Sequence, residues 1–191
     1  MYATSAYKWA GPHVGCVVAD PGLLAGLRPD KLASSSDEVP GRFEWGTPSY
    51  PNFAGVAAAV DHLAGLDDQE AAGVGRRDRL VRSIGAAEEH DQALLGDVLD
   101  ALAGDPRITL YGRAARRTST VYFRVAGHTP AQVATALAAR DINVWDGHNY
   151  AWELTGALGI RDLGSAVRVS LDHYTDSDDV ARLLEGLAAL S

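Results

Sequence analysis

Lysine is nearly absent from this chain: Lys8 and Lys31 stand against fifteen arginines. Acids outnumber bases, 25 to 17, for a net charge of −8. No basic stripe is available to neutralise phosphates, which excludes a general nucleic-acid partner. Arg113, Arg116 and Arg117 cluster, and they read as a solvated loop rather than a binding patch. Cysteine occurs once, at Cys16, so no internal disulfide can form. No apolar run approaches the ~20 residues that cross a bilayer. The first residues lack the basic region and apolar core of a signal peptide. A cytoplasmic protein without a membrane partner is the simplest reading.

What remains is ordinary. The hydrophobic fraction is 47% and the charged fraction 22%, as in globular proteins. A chain of 191 residues suffices for one domain or two small ones.

Periodicity outlines the elements. Gly15–Ala19 reads as a short buried strand, with Cys16 as a small core residue. Pro21–Arg28 fits a short helix, and Arg28–Pro51, rich in Pro, Ser, Gly and charge, reads as loop. A helix is predicted from Pro51 to about Leu66, with Phe53, Val56, Val60 and Leu63 on one face. A long polar segment leads to a helix over Arg79–Ala103. Its apolar positions are Leu80, Ile84, Leu94, Leu95, Val98 and Leu102, and Gly104-Asp105-Pro106 ends it.

The last third alternates. Ile108–Tyr111 and Thr120–Val125 read as strands. Thr129 caps a helix opened by Pro130 and running to about Ala139. Ile142–Trp145 and Ala166–Leu171 are the next strands, and Asp176–Leu190 is a C-terminal helix. The order β–β–α–β–α–β–α predicts a small α/β domain with a mixed or antiparallel sheet.

Four segments carry candidate chemistry. The first is Ser5-Ala6-Tyr7-Lys8-Trp9-Ala10-Gly11-Pro12-His13-Val14-Gly15. A chain that has nearly dispensed with lysine points to Lys8 as needed for its amine, because arginine does not readily form an imine. Ser5 and Tyr7 offer hydroxyls to an anion, while Gly11, Pro12 and Gly15 permit tight turns. The plainer alternative is a solvated surface lysine. The second is Arg42-Phe43-Glu44-Trp45-Gly46-Thr47-Pro48. Gly46 and Thr47 precede a helix, where a hydroxyl and free N–H groups suit a phosphate. The third is Ala166-Val167-Arg168-Val169-Ser170-Leu171. Here Arg168 is placed either to grip a carboxylate or to pair with an acid. The fourth is Asp146-Gly147-His148-Asn149-Tyr150-Ala151, whose polar residues follow a strand. A metal-dependent hydrolase built from Asp146, His148, Asp172 and His173 is a further alternative, but the spacing matches no strong metal signature.

In this order the four segments resemble the class V aminotransferases and cysteine desulfurases, fold-type I enzymes that use pyridoxal 5′-phosphate (PLP). The resemblance implies that Lys8 holds PLP as an imine, with Ser5 and Tyr7 near the cofactor. It implies that Gly46 and Thr47 serve the PLP phosphate, the threonine reaching across a homodimer interface. Arg168 would bind the α-carboxylate of a small amino-acid substrate, with Asn149 beside it. No metal is implied. The similar desulfurase loop carries a cysteine nucleophile where this sequence has Tyr150, which puts sulfur transfer in doubt.

Family members are roughly twice as long, with the lysine near the middle. The resemblance therefore implies the C-terminal half of a fold-type I transferase. Residues 1–66 would be a remnant of the large PLP-binding domain, 67–105 a connecting helical segment and 106–191 the small domain. The chain is expected to be weakly active or inactive alone. It is expected to act as a homodimer, or as a non-catalytic subunit that needs a complementing N-terminal half.

Overall fold

The computed structural model describes residues 1–67, 73–112 and 114–190. They form two compact units, Met1–Ile84 and Gly85–Ser191. The division falls within one helix, α3, whose two ends contribute to different units. Part of the polar segment before that helix and Arg113 of the arginine cluster lie outside the described residues.

In the first unit, strand β1 (Tyr2–Ser5) pairs antiparallel with β2 (Gly15–Val18), with Tyr2 opposite Val18 and Ser5 opposite Gly15. Helix α1 (Pro21–Gly26) starts at Asp20, whose carboxylate accepts from the Leu23 N–H. Helix α2 (Tyr50–Leu63) follows the loop. Among the described residues of this unit only Ala6, Ala59, Ala64 and Ser83 are buried.

That scarcity corrects two expectations. The strand at Gly15–Ala19 forms, but it is not a buried one: Val17 and Val18 are 62% and 66% exposed, and Cys16 is half-buried. A two-stranded sheet has one partner per strand, and within this unit no layer covers its faces. The face predicted for the second helix also differs. Phe53 is 44% exposed, and Ala59, a small residue, takes the buried position.

The second unit holds a real core. The C-terminal part of α3 (Arg76–Gly104) contributes Leu94, Leu95, Val98 and Leu102. Strands β3 (Ile108–Tyr111), β4 (Thr120–Val125), β5 (Trp145–Gly147) and β6 (Ala166–Ser170) form one sheet in the order β3-β4-β6-β5, all antiparallel. Along β4 buried and half-buried residues alternate, so Val121, Phe123 and Val125 face the core. Helices α4 (Pro130–Ala138) and α6 (Ser177–Ala188) cover the same face through Val133 and Leu137, and Val180, Leu183 and Leu187. Each such side chain contributes about 1.5–3 kcal/mol of burial. Helix α5 (Trp152–Ala157) lies between β5 and β6 in the chain.

Local signals explain the helix ends. Thr129 and Gln132 form a capping box ahead of Pro130, and Asp176 and Asp179 form another. Arg107 closes the other end of α6, donating to the carbonyls of Leu190 and Leu187 at 2.7 and 3.3 Å. Its guanidinium also binds Asp105 at 2.7 Å. That hydrogen bond, with the Arg107 backbone N–H, holds the Asp105 carboxyl below its ordinary value, and the same bond raises Arg107.

One strand starts later than predicted. Ile142 and Val144 pack against the core, but the ladder begins at Trp145, opposite Arg168. Asp141, in the left-handed region at φ 59, and the bond from the Ile142 N–H to the Leu137 carbonyl keep that segment tied to the end of α4. Arg117 is also less solvated than expected. Its guanidinium donates to the Gly112 and Thr120 carbonyls, and Gln92 donates to its own carbonyl.

Candidate active site

The β1–β2 pair exists to present a turn. Between the strands, residues Ala6–Trp9 form one 3-10 turn with Lys8 in it. Ala6, fully buried, donates its N–H to the Val14 carbonyl and accepts from the Gly11 N–H, both at 2.9 Å. Ala10 adopts φ 67 to close the turn. A Cβ on Gly11 would lie 2.8 Å from the Ala6 Cβ and 2.9 Å from its carbonyl oxygen, so only glycine fits. Gly55 of α2 packs less tightly against the turn: a Cβ there would lie 3.1 Å from the Pro12 ring. Trp9 donates to the Thr4 hydroxyl at 3.1 Å, and Tyr7 stacks on His13 with centroids 4.5 Å apart.

The two lysines have different surroundings. Lys31 is bonded at every turn, to Asp37 at 3.2 Å and to the Ser35 carbonyl at 2.8 Å. Lys8 is exposed, and its ammonium lies 5.7 Å from the centre of the Tyr7 ring. Among the described residues it has no hydrogen-bond or ion-pair partner. Ser5 ends β1 directly before the turn, half-buried.

Gly46 and Thr47 lie in the loop before α2, Gly46 at φ 88 and Thr47 exposed. They line a cleft of about 430 Å³ with Ser34, Ser35 and Ser36. Its lining thus combines hydroxyls and the start of α2, which suit an anionic oxygen group, with one carboxylate, Glu44.

The second unit contributes Arg168. It is half-buried on β6, opposite Tyr122 of β4 on one side and Trp145 of β5 on the other. Val167 and Val169 face the core, so Arg168 faces away from the helices, onto the open face of the sheet. Its guanidinium carbon lies 5.7 Å from the Trp145 ring centre. Of its two sequence readings, pairing with an acid is not what the structure shows: among the described residues Arg168 has no ion-pair or hydrogen-bond partner.

Beyond β5, Gly147 at φ 100, Asn149 at φ 50 and Tyr150 at φ 63 turn the chain sharply. The Asn149 side-chain amide donates to the Gly147 carbonyl at 3.0 Å, while its Oδ1 is buried with no hydrogen-bond partner among the described residues. Tyr150 projects from this turn, 95% exposed. His148 accepts from the Tyr150 N–H and meets Trp152 edge-on, and His173 pairs with Asp172 at 2.8 Å. Among the described residues no three histidines, cysteines or acids group as metal ligands would.

Sequence reasoning passed over Tyr122 and Trp145 as site residues. The only signal for them was strand alternation, which puts Tyr122 on the face opposite Val121 and Phe123.

A family model described as aminotransferase class-V matches residues 1–183. A cysteine desulfurase of Salmonella agona (strain SL483) is 31% identical over 203 residues, covering 100% of this chain and 45% of that protein. An uncharacterized protein of Mycobacterium tuberculosis (strain CDC 1551 / Oshkosh) is 30% identical over 195 residues, covering 100% of this chain and 47% of that protein. The apo structure of a cysteine desulfurase from Thermococcus onnurineus NA1 matches with a TM-score of 0.78 at 24% identity, covering 98% of this chain and 46% of that one. The chain thus spans less than half the length of the curated relatives it matches.

Proposed function

This chain belongs to the class-V aminotransferase family, and from that membership we propose that it serves PLP-dependent chemistry on a small amino acid, with Lys8 as the reactive amine. The fold is part of that of a PLP-dependent transferase. One observation carries the reading: of two lysines, the one in the buttressed turn has no hydrogen-bond or ion-pair partner among the described residues.

The residues present fit the cofactor. Lys8 supplies a free amine, Thr47 and Gly46 supply a hydroxyl and backbone N–H for a phosphate, and Ser5 and Tyr7 flank the lysine. When bound, PLP takes up the electron pair left at the substrate α-carbon. The protein's own share is then simple. Arg168 holds the carboxylate and so orients the α-carbon. The Lys8 amine is suited to remove and return a proton at a substrate α-carbon. The unpartnered oxygen of Asn149 accepts a hydrogen bond from the substrate amine. Tyr150, at the place of the desulfurase cysteine, is no match for a thiolate nucleophile, so the reading favours transamination or elimination over sulfur transfer.

A second reading is favoured by the first unit. Tyr2, Val17, Val18, Trp45 and Tyr50 are each more than 60% exposed, a spread of apolar surface that globular units cover. We propose that a complementing cofactor-binding half, or a second copy in a homodimer, covers it. The isolated chain would then be weakly active or inactive. Assignment to the cytoplasm belongs to the same proposal, resting on the single cysteine. No helix among the described residues is long and apolar enough to cross a membrane.

Reductive trapping tests the first reading. The chain is incubated with PLP and borohydride, and pyridoxyl adducts are mapped by peptide mass spectrometry beside Lys8→Ala. An adduct that favours Lys8 over Lys31, even if substoichiometric in the isolated chain, is expected. Equal labelling of both lysines, or none, would overturn it.

A further inference from the structure

One row of side chains crosses the open face of the four-stranded sheet. The strand registers set Tyr111 opposite Tyr122, Tyr122 opposite Arg168, and Arg168 opposite Trp145. Three aromatic rings and one cation thus share a single line across four strands. Tyr111 and Tyr122 are in tilted contact at 6.2 Å.

Among the described residues the arginine in this row has no ion-pair or hydrogen-bond partner, only a ring beside it. The chain holds eight more acids than bases, so a partner would be easy to supply. Arg124, on the neighbouring strand, spends its guanidinium on the carbonyls of Leu163 and Ser165. Arg161 lies over the Trp152 ring, 4.4 Å from its centre, with Asp162 4.0 Å away. Arg168 instead has an aromatic residue opposite it on each neighbouring strand, Tyr122 and Trp145.

Those neighbours are themselves fixed. Tyr122 does not stop at the adjacent strand. Its hydroxyl reaches past β6 and donates to the Gly147 carbonyl of β5 at 2.6 Å. The same carbonyl accepts from Asn149 at 3.0 Å. Gly147 is paired with Ala166, which is fully buried and two residues from Arg168 on the same face. The crossing phenol therefore walls one side of Arg168, and the Trp145 ring lies on the other.

An unpaired arginine side chain samples many rotamers, and a ligand that needs its planar fork must first immobilise it. A ring face attracts the guanidinium within about 6 Å and leaves its N–H edge free. We propose that Trp145 and Tyr122 are positioning residues: they hold Arg168 as a preorganised receptor for the carboxylate of a small amino acid. Trp145 sets the plane of the guanidinium. Tyr122 ties β4 to β5 and so fixes the distance between that ring and Arg168. This rests on the reading of Arg168 as the carboxylate site, and adds how the site is held.

The test uses the full chain with ¹⁵N-labelled arginine, and follows the Arg168 Nε–H NMR signal, identified by its loss in Arg168→Lys. In the free protein the Trp145 ring current displaces this signal, and Trp145→Ala is expected to return it toward the other exposed arginines. Titration with L-alanine is expected to move the signal saturably, whereas ethylamine, which lacks a carboxylate, leaves it in place. Trp145→Ala should weaken that titration about threefold to fivefold, the range of one ring–cation contact, and Tyr122→Phe, which keeps the ring but loses the bond to the Gly147 carbonyl, about threefold. Trp145→Phe should restore most of it. A Trp145→Ala protein that binds L-alanine like the wild type would sink the positioning role and leave the carboxylate site standing. A wild-type signal indifferent to L-alanine would overturn both. An Arg168 signal that Trp145→Ala leaves unmoved in the free protein would show that the ring does not hold it.

Discussion

Gly11 and Ala6 approach so closely that a methyl group on Gly11 would lie 2.8 Å from the Ala6 Cβ and 2.9 Å from its carbonyl oxygen. The second of these is backbone, which cannot step aside like a side-chain tip. The turn that carries Lys8 is built on this contact.

Gly11→Ala is therefore expected to open the turn, at a cost of about 1–3 kcal/mol. Limited proteolysis read by mass spectrometry should show faster cleavage within residues 1–18, and pyridoxyl labelling of Lys8 should fall. Unchanged cleavage and labelling would contradict the tight turn.

Gly186 is a different case. A Cβ there would meet the Leu137 Cδ2 at 2.7 Å and the Ile142 Cδ1 at 2.8 Å, both the far ends of side chains. Gly186→Ala should cost only about 1 kcal/mol after those ends shift, and Gly186→Val about 2–3 kcal/mol. Urea unfolding of the two variants measures the difference, and equal midpoints would refute it.

Phe123 is fully buried at the centre of the second unit's core. Truncation to alanine should remove about 3–5 kcal/mol. Chemical denaturation should show an earlier midpoint for this unit, and a loss under 1 kcal/mol would mean that the core is looser than described.

The Asp105–Arg107 pair predicts a pH dependence. The Arg107 hydrogen bond depresses the Asp105 carboxyl, so its contribution is complete above the ordinary carboxylate value and is lost as pH falls through the depressed one. A melting-temperature difference between wild type and Asp105→Asn should persist from pH 8 to pH 5 and fade below about pH 4. Arg107→Ala should lower the melting temperature more than Asp105→Asn, because it also removes the bonds to Leu187 and Leu190. A difference that grows on acidification would reverse the sign and refute the argument.

Much of the second unit was legible in the residues. Val121, Phe123 and Val125 alternate, Val180, Leu183 and Leu187 repeat at helical spacing, and Thr129-Pro130 announces a helix start. Each signal lies within a few residues, where local sterics and one buried face decide the outcome. The first unit was harder. Tyr2–Ser5 gave no strand signal apart from the lysine motif, and it forms β1 because Gly15–Val18 comes back to pair with it. Phe53 and Val17 satisfied an apolar pattern, yet pattern says which side chains can be buried, not whether another layer arrives to bury them.

The site divides in the same way. The rarity of lysine, the glycines around Lys8 and the alternation around Arg168 are properties of the chain itself, and they marked both residues. That Lys31 is ion-paired while Lys8 has no hydrogen-bond or ion-pair partner among the described residues, that Arg168 has a ring beside it, and that Tyr122 reaches past a strand to Gly147 were decided by tertiary structure alone. Each depends on which distant residues the fold brings within a few ångströms, and hydrogen bonds and ring contacts act only at that range.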